Sequence, residues 1–183
     1  MCIKARELLA LNGGPINLSQ GTQILVSSLA NASWLGIEQL VSVGHWKLRG
    51  QYARVAPRLL SNSVARLRSL TKGPVSSPPT GLTEVGFRIK ELRKIEGVGM
   101  GMASAILALR FPHYACVVDF RGWRQMFCES RKSFTIRQYL KYLDAVRRLG
   151  DELGWTPLQV DIAIWRKDMD EPQAFRRARS CCN

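Results

Sequence analysis

The chemistry legible in this sequence lies in five consecutive residues and one acid further along. In Ile95-Glu96-Gly97-Val98-Gly99 two glycines flank a hydrophobic residue, and Asp119 follows in Val117-Val118-Asp119, twenty residues beyond Gly99. A Gly-x-Gly turn that opens a helix presents backbone N–H groups to an anion, because glycine permits close approach and a helix N-terminus carries partial positive charge. Gly97, Val98, Gly99 and, one residue into the helix, Gly101 are the candidate donors for a phosphate. A lone carboxylate delivered beside such a cradle can stabilise developing positive charge or orient a water. An anion cradle coupled to an isolated acid points to chemistry on a nucleic acid.

The charge predicts the same partner. Lys and Arg number 27 against 14 Asp and Glu, a formal charge of +13 with a pI near 10.2. Such a surface attracts polyanions and releases their counterions on binding, so double-stranded DNA is the expected partner. At 183 residues and 46% hydrophobic the chain can bury a core without staples, and a single compact two-lobed unit acting as a monomer is expected. The first residues hold no apolar stretch of signal type. The longest apolar run, around Met102 to Leu109, is far short of the ~20 residues that span a bilayer; a cytoplasmic protein with no membrane partner is expected. Cys2, Cys116, Cys128, Cys181 and Cys182 form no Cys-x-x-Cys pair, which argues against a zinc site or a disulfide framework and for reduced thiols. No metal and no cofactor are expected on these grounds.

The elements that must position the acid are helices. Ser19 or Thr22 can cap a segment carrying Ile24, Leu25, Ser28 and Leu29, and a second run through Leu35, Ile37, Leu40 and Val41 is predicted to end near Gly44. From His45 to Leu70 the pattern turns basic, with Pro57 starting or kinking a helix. The stretch 71–81, rich in Pro, Gly and Ser, is predicted to be an irregular linker. Beyond it, 84–110 is predicted to be helix, hairpin, helix: Thr83 caps Val85, Phe87, Ile89 and Leu92, Gly97 stops that helix and Gly99 starts the next. The second helix ends before Phe111-Pro112, and an extended connector from Tyr114 to Val118 delivers Asp119. A short amphipathic turn from Trp123 to Phe127 precedes a long helix from Thr135, and Thr156-Pro157 opens the last one. No alternating strand is visible, so the fold class is all-α, with 176–183 a frayed basic tail.

Leu92 to Arg124 resembles the helix-hairpin-helix (HhH-GPD) DNA glycosylase superfamily, the group that includes endonuclease III-like and adenine-mismatch glycosylases. The matching pieces are Ile95-Glu96-Gly97-Val98-Gly99, the helix from Met102, Val117-Val118-Asp119, and Arg124 five residues beyond the acid. The resemblance implies a two-lobed helical fold and a base-excising enzyme with Asp119 as its catalytic acid. It also allows a monovalent cation on the hairpin carbonyls. Members that nick the strand place a lysine two residues after the second glycine, where this chain has Gly101; no efficient lyase activity is implied. The four clustered cysteines of the iron–sulfur subgroup are absent, since Cys181-Cys182 cannot supply their spacing, and the polar pair that usually follows the aspartate is replaced by Phe120-Arg121.

Breaking the bond between a base and deoxyribose builds positive charge on the sugar, so an acid at the anomeric carbon stabilises the transition state. Asp119 sits among Val117, Val118 and Phe120 and needs a basic neighbour if buried; Arg121 and Arg124 are the nearest in sequence. It can equally cap the turn through Trp123. A base must leave the stack to reach it, and His45, Trp46, Lys47, Gln51 and Tyr52 offer the aromatic, amide and basic groups that fill such a gap or line such a pocket. Tyr114, Trp123 and Gln125 are further pocket candidates, whereas Asp161 is expected to stabilise the first turn of the last helix. The competing readings are a non-catalytic DNA-binding module that keeps the hairpin and a protein-binding adaptor. The enzyme could also serve defence by excising modified bases from viral DNA.

Overall fold

A computed structural model describes residues 3–171. The tail 176–183 and Cys2, Cys181 and Cys182 lie outside the described residues. Ten helices are described: α1 (Ala5–Asn12), α2 (Gln20–Ala30), α3 (Ile37–Leu48), α4 (Ala56–Leu60), α5 (Val64–Ser76), α6 (Leu82–Leu92), α7 (Met100–Arg110), α8 (Phe120–Phe127), α9 (Ile136–Leu153) and α10 (Pro157–Asp170), with a 3₁₀ turn at Arg49–Arg54 between α3 and α4. No strand occurs among the described residues, and the chain is all-α. No helix among them is long and apolar enough to cross a membrane.

α7 is the axis of the packing. Every residue from Met102 to Leu109 is buried, as befits a helix apolar on all sides, and it contacts α2, α3, α5, α6 and α10. α9 is amphipathic, with Tyr139, Tyr142, Leu143, Val146 and Leu149 turned inward. It lies against α6, α8 and α10, while α1 docks on α9 and α10. Of the candidate caps, Ser19 rather than Thr22 caps α2, Thr156 caps α10, and Thr135, where the long helix was expected to start, caps α9.

Two boundaries differ from expectation. The predicted linker 71–81 is helical as far as Ser76, with Pro74 inside α5. Proline removes one helical hydrogen bond, and the carbonyls around it find side chains instead. Arg88, buried on α6, donates to Pro74 O at 3.1 Å and to Ser77 O, and Arg110 Nε donates to Val75 O at 3.0 Å. α6 then starts at Leu82 with Gly81 as its N-cap, so Thr83 lies inside the helix. Its entry is held by Glu84, whose carboxylate accepts from Thr80 N and Thr80 Oγ1 at 2.7 Å each. These bonds and Arg88 pull the Glu84 pKa down to about 2.

The second difference is α3, which continues past Gly44 to Leu48. Gly44 is buried there because Tyr52 and Met102 cross it. A Cβ at this position would lie 2.7 Å from the Tyr52 ring and 3.6 Å from Met102 Cε. The glycine makes room for the Tyr52 ring of the 3₁₀ turn rather than ending the helix. One further turn of α3 is thereby laid over the start of α7, and Lys47 stands on it.

Candidate active site

α6 and α7 are joined by the turn 93–99, in which Gly97 adopts φ +83°. A Cβ on Gly97 would lie 2.9 Å from Leu59 N and 3.1 Å from Val55 O, so the backbone of α4 packs directly on this glycine. The turn is also gripped by Asn62, whose Nδ2 donates to Glu96 O (3.0 Å) while its Oδ1 accepts from Glu96 N (3.1 Å). Val98 is buried and its N–H donates to Ile95 O at 3.0 Å. The Val98 N–H is thus spent inside the turn and the Cα of Gly97 is covered by α4, which corrects the expectation that these two groups face a phosphate. Gly99 differs: it is exposed, a Cβ there would meet nothing within 4 Å, and it caps α7. The first intrahelical bond runs from Ala103 N to Gly99 O. The N–H groups from Gly99 through Gly101 precede it and remain the donors that an anion could reach.

Asp119 arrives on an extended segment, 115–119, that has no strand to pair with. Side chains satisfy its backbone instead. Tyr139 Oη donates to Cys116 O (3.2 Å), Ser104 Oγ accepts from Val118 N (3.2 Å), and the Val117 N–H faces the Asp161 carboxyl. Ser104 Oγ in turn donates to Gly101 O (3.0 Å), which ties the acid's segment to the first turn of α7. Asp119 is the N-cap of α8, its Oδ1 accepting from Arg121 N (3.0 Å) and Gly122 N (2.9 Å). Its Oδ2 accepts from Lys47 Nζ at 3.1 Å. The two side chains are 20% and 14% exposed, so the pair is sheltered yet open on one side. Lys47 reaches it across Gly101: a Cβ at 101 would sit 3.6 Å from Lys47 Cε and 3.7 Å from Val118 O.

The cationic partner of Asp119 is thus Lys47 of α3, not Arg121 or Arg124. Those two converge on Asp168 of α10, which is fully buried; Arg124 binds it through Nε and Nη2 (2.7–3.1 Å) and Arg121 through Nη1 (3.0 Å). Gln125 also donates to Asp168 and to Glu171. This cluster fastens α8 to α10 below the acid, and burial removes Gln125 from the expected pocket. Trp123 is likewise core, 1% exposed, with its ring 4.3 Å from Phe127 and 5.4 Å from Phe134.

Of the aromatic and polar run before α4, Trp46 Nε1 donates to Thr22 Oγ1 at 3.0 Å, and the His45 and Tyr52 rings lie 3.9 Å apart over Gly44. Gln51 is exposed on the 3₁₀ turn. Tyr114 is exposed, and its carbonyl accepts from Arg147. A separate surface groove, lined by His113, Arg147, Trp155 and Pro157 among others, contains none of the site residues. No group of three or more His, Cys, Asp or Glu that could hold a metal occurs among the described residues. Cys116 is a free, buried thiol whose pKa burial pushes well up. Cys128 is disulfide-bonded, which corrects the reading of reduced thiols; an odd cysteine count excludes complete pairing but not a single bridge.

Asp161 was expected on the first turn of α10 and instead points into the core, where Tyr142 Oη donates to its Oδ1 at 2.6 Å. Burial, and then the negative charge of Asp119, push its pKa up to about 7, against the pull of Tyr142 and Lys47. Ser104, Asn62, Tyr142 and Asp168 are the site-building residues that sequence reasoning missed. Each is a common residue on a helix face, and only its partner across the fold marks it out. No family model, curated protein or solved structure matches this chain.

Two stability effects follow from this geometry. Gly97→Ala meets both a positive φ and a backbone wall, so it is expected to cost about 2–4 kcal/mol in urea unfolding; a loss near zero would mean that α4 does not press on the turn. Asp161 is protonated in the fold up to about pH 7, whereas in the unfolded chain its proton leaves near the model value 3.8. The folded state binds the extra proton in that window, so this group's contribution to stability falls as pH rises through it. Asp161→Asn keeps an acceptor for Tyr142 and removes the titration. Relative to wild type, its Tm should gain between pH 5 and pH 8, and parallel pH profiles would refute the assignment.

Proposed function

We propose that this protein is a DNA glycosylase that draws a damaged, mismatched or modified base out of the duplex and hydrolyses its bond to deoxyribose, leaving an abasic site. The observation that carries the reading is the placement of Asp119: one partly exposed carboxylate, linked through Ser104 and Val118 to the turn of α7 whose N-terminal N–H groups can take a phosphate. The net charge of +13 suits a duplex DNA partner. The resemblance of Leu92 to Arg124 to the helix-hairpin-helix glycosylases supports the same assignment, and the two-lobed form of that fold belongs to this proposal.

In this mechanism the start of α7 grips a phosphate next to the extruded nucleotide and sets the sugar over Asp119. As the base leaves, the carboxylate faces the developing positive charge on the sugar and orients the attacking water. Lys47 holds Oδ2, while the N-cap bonds from Arg121 and Gly122 hold Oδ1, so the acid does not need to reorganise during the reaction. The cation suggested for the hairpin fits less well. The Ile95 and Glu96 carbonyls already accept from Val98 N and Asn62 Nδ2, and no step is routed through a metal.

Duplexes carrying a broad panel of modified and mismatched bases, incubated with the protein and then treated with alkali, are expected to break at one class of lesion. Asp119→Asn retains the N-cap acceptor, and should lower base release by at least about 100-fold while leaving DNA affinity in place. Intact strands across the panel together with salt-dependent DNA binding would leave a non-catalytic binding module. Equal turnover by Asp119→Asn would remove the acid from the mechanism.

A further inference from the structure

The Lys47–Asp119 pair has the composition of an imine-forming site. An amine condenses with an aldehyde when a neighbouring group takes its proton and later returns one to the departing oxygen. Lys47 Nζ and Asp119 Oδ2 lie 3.1 Å apart and both side chains are sheltered. The lysine stem runs alongside Gly101, its Cε 3.6 Å from where a Cβ at that position would lie. Removing a base from DNA leaves a sugar whose open form is an aldehyde at C1′, and the proposed reaction would set that carbon beside this pair.

We propose that Lys47 is a nucleophile that captures the abasic sugar as an imine and cuts the strand beside it. This rests on the glycosylase reading for the position of the sugar, and it departs from what the absence of an amine at Gly101 implies. Lys47 Nζ passes a proton to Asp119 Oδ2 and attacks C1′, forming the N–C bond. The carbinolamine hydroxyl takes the proton back and leaves as water, giving an iminium. Asp119 then accepts a proton from C2′, and the electron pair expels the 3′ phosphate as the C3′–O bond breaks. One strand ends in a 5′ phosphate, the other in an unsaturated sugar still bound to Lys47. Water hydrolyses that iminium, its oxygen going to the aldehyde and both its protons to Nζ, so that Lys47 is freed as the ammonium it began as, and Asp119 passes the C2′ proton to the released phosphate. One water is released and one consumed, and no oxidant or reductant is required.

Duplex DNA with a preformed abasic site tests the step without knowledge of the base. The full chain is expected to cut this DNA without alkali and, in borohydride, to become covalently attached to it, with peptide mapping placing the adduct on Lys47. Lys47→Arg keeps a cation beside Asp119 but cannot form the imine, and should lose both the adduct and the scission while still binding the duplex. Wild-type protein that binds abasic DNA without adduct or scission overturns the proposal, as does an adduct on another residue or full trapping by Lys47→Arg. The two readings fail separately. Capture at Lys47 without release of any base from the panel would sink the glycosylase reading alone, and base release without capture would sink this one alone.

Discussion

The structure turns on an extended segment that has no strand beside it. Buried backbone N–H and C=O groups must find partners, and in an all-helical protein the run 115–119 has no sheet ladder to supply them. Helices on three sides do so instead: α7 through Ser104, α9 through Tyr139 and α10 through Asp161. The orientation of the segment is therefore set by side chains anchored in the core, and Asp119 is delivered at its end with little freedom. Because Ser104 is bonded to both Val118 and Gly101, the acid and the start of α7 are held in one frame.

Glycines make the second half of the site possible, each for a different reason. Gly97 is required by a positive φ and by the α4 backbone against it; Gly44 leaves room for the Tyr52 ring, and the stem of Lys47 passes beside Gly101. A side chain at Gly97 would collide with the α4 backbone, and one at Gly44 with the Tyr52 ring. The phosphate-facing role is left to Gly99 and the first N–H groups of α7. Charge is divided in the same way. Arg121 and Arg124 lie next to Asp119 in sequence, yet their bonds to the buried Asp168 are spent on joining α8 to α10.

Much of the helical framework was legible in advance, because caps and apolar periodicity are local. Ser19, Thr135 and Thr156 cap where their types suggest, and the turn between α6 and α7, with Asp119 after it, falls where the glycines and the acid indicated. The failures have a shared cause. Pro74 and Gly44 are helix breakers by intrinsic preference, yet here they lie inside helices because Arg88 and Arg110 serve the carbonyls around one and Tyr52 and Met102 pack on the other. Trp123 and Gln125 have the chemistry of pocket residues but are consumed by the core. Intrinsic preference yields to packing wherever a distant partner supplies the missing interaction.

By itself the sequence determined that the chain is helical and basic, and that a glycine turn precedes a single acid at a set spacing, since all of these depend on residues near one another along the chain or on composition. The tertiary structure alone decided which cation meets Asp119. Lys47 precedes that acid by 72 positions, and no local rule favours it over Arg121 or Arg124. The choice follows from α3 packing across α7, which carries Lys47 to the acid, while the buried Asp168 of α10 draws Arg121 and Arg124 away; both arrangements exist only once the helices pack.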